Sequence, residues 1–104
     1  MRATEHGEIW HANLDKIRPV AIVSRDDVSA RRGRATVAPI TSAISDLPTR
    51  VLVNHLEGLA RLSAINCDEL QTIPKAQLTR RLGRLSTEKI DALDDALRFA
   101  LQLR

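Results

Sequence analysis

The chain reads as a mainly β domain: a small, curled, partly open barrel of short antiparallel strands with one C-terminal α-helix. Three observations carry this reading. Short apolar, β-branched runs recur from Glu8 to Leu85, with the length and composition of strands rather than helices. Helical periodicity is confined to the C-terminal end, where Ile90, Leu93, Leu97, Ala100 and Leu101 form one apolar stripe. The length of 104 residues gives room for one modest core, so 1–104 is a single domain. Many short strands followed by one helix, at this size, form a sheet that curls on itself.

The elements follow in order. Glu8 to Ala12, after Gly7, predicts the first strand, and Asn13 to Ile17 a short connection. Pro19 to Ser24 predicts the second strand. The third runs from about Arg34 to Ile40 and contains Pro39. Proline has no N–H for a ladder, so this strand is expected at an edge, or bulged there. Ser45-Asp46-Leu47-Pro48 is a turn cluster. Arg50 to Val53, Ala60 to Ile65 and Leu70 to Ile73 predict three more strands. Pro74 to Leu78 predicts a helical turn, since proline suits a first helical position. Thr79 to Leu85 predicts the last strand, with Arg80 and Arg84 on one face. Ser86 is a cap for the helix, with Glu88 and Asp91 near its start and Arg98 near its end.

Composition narrows the function. Apolar residues make up 43% and charged residues 28%, as in an ordinary globular protein. Trp10 and Phe99 are the only aromatic residues, which argues against RNA binding on stacked aromatic platforms. The net charge of +3 comes from 16 basic and 13 acidic residues, and all the basic ones but Lys16, Lys75 and Lys89 are arginine. Such a balance permits a polyanionic partner without requiring one. Cys67 is the single cysteine, so the fold does not rest on an internal disulfide, and a reducing cytoplasm is the expected location. The first residues lack the apolar core of a signal peptide. No apolar run approaches the roughly 20 residues of a membrane span. His6, His11 and His55 show no metal-ligand spacing, and no metal or other cofactor is expected.

Two apolar segments end in polar residues: Arg18-Pro19-Val20-Ala21-Ile22-Val23-Ser24 and Ala35-Thr36-Val37-Ala38-Pro39-Ile40-Thr41-Ser42. If these strands are neighbours, Arg18 at the start of one and Thr41 at the end of the other meet at one rim. A guanidinium fork and a hydroxyl there would suit a phosphate. Taken alone, the two residues are read more simply as a solvated strand start and a turn residue. Between the segments, Arg25-Asp26-Asp27 and Arg31-Arg32-Gly33-Arg34 give a basic stretch that either tracks a nucleic-acid backbone or forms a solvated hairpin tip.

The order of several short motifs adds a more specific signal. Gly7-Glu8-Ile9-Trp10, Arg18-Pro19-Val20, Pro39-Ile40-Thr41-Ser42, Leu47-Pro48-Thr49, Asn66-Cys67-Asp68, Gln71-Thr72-Ile73 and Leu82-Gly83-Arg84-Leu85-Ser86 follow one another. In this order the chain resembles the MazF/PemK family, the toxin halves of bacterial toxin–antitoxin pairs, from about Gly7 to Leu103. The resemblance implies an SH3-like barrel of the CcdB/MazF type and a homodimer. It also implies sequence-specific, metal-independent cleavage of single-stranded RNA, and a cognate antitoxin with an acidic, disordered tail.

By the same resemblance, Arg18 and Thr41 match the catalytic arginine and threonine of many members, and Ser42 a polar neighbour. Asp68 matches an aspartate that some relatives use as a base. Asn66 stands where some of those relatives carry an arginine acting as acid, a role asparagine cannot fill. RNA contacts are expected from Arg25, Arg31, Arg32 and Thr72. The connection before Arg18 is shorter than the family's loop, so base preference does not carry over. Chemically, a metal-free reaction needs a base for the 2′-hydroxyl, an acid for the leaving 5′-oxygen, and charge or donors for the phosphorane. Two alternatives share the barrel: a CcdB-like gyrase poison that uses a protein interface, and a catalytically degenerate member that only binds its antitoxin.

Overall fold

A computed structural model describes residues 3–104. Seven strands form one antiparallel sheet: β1 Glu8–Asn13, β2 Ile17–Ile22, β3 Arg34–Thr41, β4 Arg50–Val53, β5 Ser63–Asn66, β6 Gln71–Pro74 and β7 Leu78–Arg84. The helix α1 spans Thr87–Leu101, and two 3-10 turns lie at His55–Glu57 and Lys75–Gln77. The strand order is β4-β5-β3-β2-β1-β7, with β6 also paired to β3. The seven-strand count and the C-terminal helix agree with the sequence reading. The fifth strand begins at Ser63 rather than Ala60.

Alternation along β1, β2 and β3 sends side chains to both faces of the sheet, and both faces are covered. Ile9, Ala21, Ala38 and Ile40 join Val51, Val53, Ile65 and Cys67 in one core, which α1 closes with Leu93 and Ala96. Trp10, Ala12, Val20, Ile22 and Val37 point the other way and meet Ala35, Ile73 and Leu78 in a second core. Burial on both faces explains why the strands read as near-continuous apolar runs. Trp10 is therefore a core residue, with its indole N–H donating to Glu8 at 3.2 Å.

Pro39 corrects one expectation, because β3 is central rather than an edge strand. It pairs β2 on one side, while on the other it pairs β6 over Arg34–Val37 and β5 over Ile40–Thr41. The Thr36 carbonyl accepts the Val23 N–H at 2.9 Å, on the β2 side. By alternation, Pro39 turns its nitrogen to the opposite side. The missing N–H thus falls where β3 changes partner and no ladder bond is required.

The last strand carries a second correction. The β1–β7 register shifts between Ile9/Trp10 and again between His11/Ala12. Each bulge reverses the alternation, so Arg80 and Arg84 part company. Arg84 approaches Glu5 at 3.8 Å and Arg81 donates to Glu8 at 2.8 Å. The helix stripe also differs by one residue: Ala96 is buried, while Leu101 is 53% exposed. The Ser86 hydroxyl caps the helix by accepting the Lys89 N–H at 3.2 Å, as expected.

Two polar contacts pin the loops. The carboxylate of Asp27 and the ammonium of Lys75 form a buried ion pair. Asp27 also accepts the Arg32 N–H at 3.1 Å, and the Gly33 carbonyl accepts the Lys75 N–H at 2.9 Å. The basic loop after β2 is thereby fastened to the turn after β6. Near the helix, buried Glu57 accepts from Lys89 Nζ at 2.9 Å and from the Asn54 N–H at 2.8 Å. No helix of the described residues is long and apolar enough to cross a membrane.

Candidate active site

Continuing the β2–β3 register beyond Val20↔Pro39 sets Arg18 opposite Thr41. The register thus sets the two residues at one rim, as the sequence suggests. Both line an open groove of about 1420 Å³, together with Ser42, Asn66, His11 and Glu69. Lys16, Arg50, Arg61 and Arg80 complete a strongly basic lining in which Glu69 is the one carboxylate. Such a wall focuses positive potential along a path wide enough for an extended polyanion.

The hairpin between β1 and β2 holds Arg18. Asp15 accepts from Arg18 Nε at 2.8 Å and from Nη2 at 3.0 Å, and also from the Lys16 N–H at 3.0 Å. The guanidinium holds the Asp15 carboxyl far below the usual carboxylate range. This side-on pair uses two of the five guanidinium N–H donors. The remaining three are left for a phosphate.

Thr41 ends β3 in a tight turn. Its Oγ1 accepts the Ala43 N–H at 3.1 Å, an ST-turn in which the hydroxyl hydrogen stays available to donate. Ser42 follows, exposed.

Asp68 sits just beyond the groove. It accepts from Thr49 Oγ1 at 2.7 Å and from Arg50 Nη1 at 2.9 Å. Those hydrogen bonds lower its pKa, so it is a weak base. Asn66 uses its Oδ1 to accept the Asp68 N–H at 2.9 Å. Arg50 lies opposite Asn66 in the β4–β5 register, so the arginine beside Asp68 comes from the neighbouring strand. Cys67 is buried, and burial with the nearby Asp68 charge pushes its thiol up to about 11, which makes it unreactive.

Arg25, Arg31, Arg32 and Thr72 lie away from this groove. The three arginines are on the loop after β2, and the Thr72 hydroxyl is 2.8 Å from that of Thr36. Sequence reasoning missed Arg50, Arg61 and Glu69 as groove residues and gave Arg80 no role there. They come from separate segments, and only the pairing of those segments gathers them. Among the described residues, no three His, Cys, Asp or Glu side chains gather as a metal-binding group.

Residues 5–101 match the family model of the PemK-like, MazF-like toxins of type II toxin–antitoxin systems. The chain belongs to this family. Endoribonuclease MazF3 of Mycobacterium tuberculosis is 41% identical over 92 residues, covering 88% of this chain and 89% of that protein. Endoribonuclease EndoA of Bacillus subtilis is 31% identical, with 95% of each covered. The solved structure of the Mycobacterium tuberculosis toxin MazF-mt6 superposes with a TM-score of 0.88 at 40% identity, covering 93% of this chain and 98% of that one. The half-barrel with a C-terminal helix is thus a MazF-like fold.

Proposed function

We propose that this MazF-like chain is the endoribonuclease toxin of a type II toxin–antitoxin pair, cutting single-stranded RNA in its basic groove. The observation that carries this is that Arg18 and Thr41, from two paired strands, border one groove lined by further cations. Its family and the names of its relatives as endoribonucleases support the same reading.

In this reaction the 2′-hydroxyl attacks the adjacent phosphorus, and the bond to the 5′-oxygen breaks. Arg18 holds the phosphate with the donors that Asp15 leaves unused. Thr41 donates its hydroxyl hydrogen to a non-bridging oxygen, with Ser42 beside it. Donors placed where charge develops stabilise the phosphorane more than the ground state. Arg50, Arg61 and Arg80 hold neighbouring phosphates. Arg25, Arg31 and Arg32 are assigned to flanking nucleotides by charge alone. Thr72 is assigned there by resemblance to the family.

The reaction is proposed to be sequence-specific and metal-independent, and the protein a cytoplasmic homodimer. The family's other half, the antitoxin, would place an acidic tail on the groove's arginines and fold there. Incubating the protein with a broad panel of long single-stranded RNAs in EDTA tests the activity. Cleavage at a preferred sequence is expected, and intact RNA across the whole panel would overturn the reading.

A further inference from the structure

Asn66 has no task in the reaction above, yet it lines the groove while only 8% exposed. We propose that Asn66 reads a base: its side-chain amide donates a hydrogen bond to guanine O6 or uracil O4 beside the cut linkage, selecting these bases over adenine and cytosine. The assignment rests on the RNA-cleavage reading.

Strand register places the residue. Thr41 pairs with Ala64, two residues before Asn66 on β5, and Asn66 pairs with Arg50 on β4. Paired residues share a sheet face, as do residues two apart on one strand. Thr41, Asn66 and Arg50 therefore share one face, and continuing the β2–β3 register puts Arg18 on it too. Thr41 and Asn66 are diagonal neighbours, about 7–8 Å apart. That spacing suits a base adjoining a phosphate at Thr41.

The amide has a fixed orientation. Its Oδ1 accepts the Asp68 N–H at 2.9 Å. A backbone N–H can only donate, so the atom facing it is the oxygen, and the NH₂ end is turned elsewhere. That nitrogen meets no acceptor among the described residues, and none of their buried side-chain nitrogen or oxygen atoms lacks a partner. The NH₂ group is therefore open to the groove, with a hydrogen bond to offer.

Burial and charge favour a base here over a phosphate. Lys16, Arg18, Arg61 and Arg80 are the exposed cations of the lining, suited to a solvated backbone. Asn66 is buried and neutral. Its amide holds the backbone of Asp68, and Glu69 follows in the lining. Carboxylates beside the site oppose a phosphate and leave a neutral base undisturbed. Guanine and uracil present a carbonyl where adenine and cytosine present an amino group. The Asn66 N–H pairs with the carbonyl. Against an amino group it stays unpaired, which is costly for a buried donor.

The test uses RNAs that share a mapped cut site and carry each of the four bases in turn at a flanking position. Cutting is measured on these, and binding on the same RNAs with a 2′-deoxy nucleotide at the cut. At one flanking position, wild-type protein should favour guanine and uracil by about tenfold or more. Asn66→Ala should level the four bases there and keep the preferences at other positions. Asn66→Asp, whose carboxylate accepts instead of donating, should turn the preference toward adenine and cytosine. Each readout is a ratio between RNAs, so a smaller folded fraction does not move it. Wild-type cutting with no such preference at any flanking position would overturn the assignment. So would a guanine and uracil preference that survives in Asn66→Ala or Asn66→Asp, with or without an equal loss on all four RNAs. Wild-type protein that cuts no RNA would overturn the RNA-cleavage reading and this assignment with it.

Discussion

Arg18→Ala removes the cation proposed to hold the reacting phosphate while leaving the strand pairing of β2 in place. Loss of one donor that meets developing charge costs about 10²–10³ in rate, so single-turnover cutting should slow by that factor in a protein with native circular dichroism. Arg18→Lys should also be poor, because an ammonium cannot keep the side-on pair with Asp15 and still present a planar edge to phosphate. Thr41→Val keeps the shape and removes the hydroxyl. It should lower the rate constant of the chemical step more than it weakens RNA binding, measured by filter binding beside single-turnover kinetics. Normal cutting by the valine variant would reduce Thr41 to a turn residue. The two residues were legible in sequence because Arg18 opens one apolar run and Thr41 closes the other. The side-on grip of Asp15 on Arg18 was not, because it depends on the tight hairpin between β1 and β2.

Strands β1 to β3 were legible because both faces are buried and their runs are apolar throughout. The partners of β3 were not, because nothing local says that a strand changes neighbour at Pro39. The bulges of β7 were hidden for the same reason, and they decide that Arg80 reaches the groove while Arg84 does not. Gly83 marks one consequence of that irregularity. A Cβ there would lie 2.5 Å from the Glu57 carbonyl oxygen, a backbone atom with nowhere to retreat. Gly83→Ala should therefore cost about 1–3 kcal/mol, as overpacking does, measured by urea unfolding. The loop after β2 gives a pH-dependent prediction. Lys75 and its other donors hold the Asp27 carboxyl below the usual range. A depressed carboxylate contributes stability that is present above the unfolded value near 4 and lost as pH falls through the folded value. Melting temperature should fall as acid is added below about pH 4, and Asp27→Asn should lower it at neutral pH and flatten the acid limb.

At the scale of the whole molecule, two apolar cores and a capped helix hold the ends of β2 and β3 against each other, and the basic groove lies across that end. The fold class was readable from the alternation of short runs and the single helical stripe. The groove was readable only at Arg18, Thr41, Ser42 and Asn66, since its remaining cations come from separate segments of the chain. The proposed reaction cuts RNA at this rim with the substrate's own 2′-hydroxyl. The most direct measurement is end-group analysis at a mapped cut site, with and without a single 2′-deoxy substitution at that nucleotide. A 2′,3′-cyclic phosphate and a 5′-hydroxyl are predicted on the natural RNA, and no cutting on the deoxy RNA. A 3′-hydroxyl with a 5′-phosphate, or unchanged cutting of the deoxy RNA, would rule out attack by the 2′-hydroxyl.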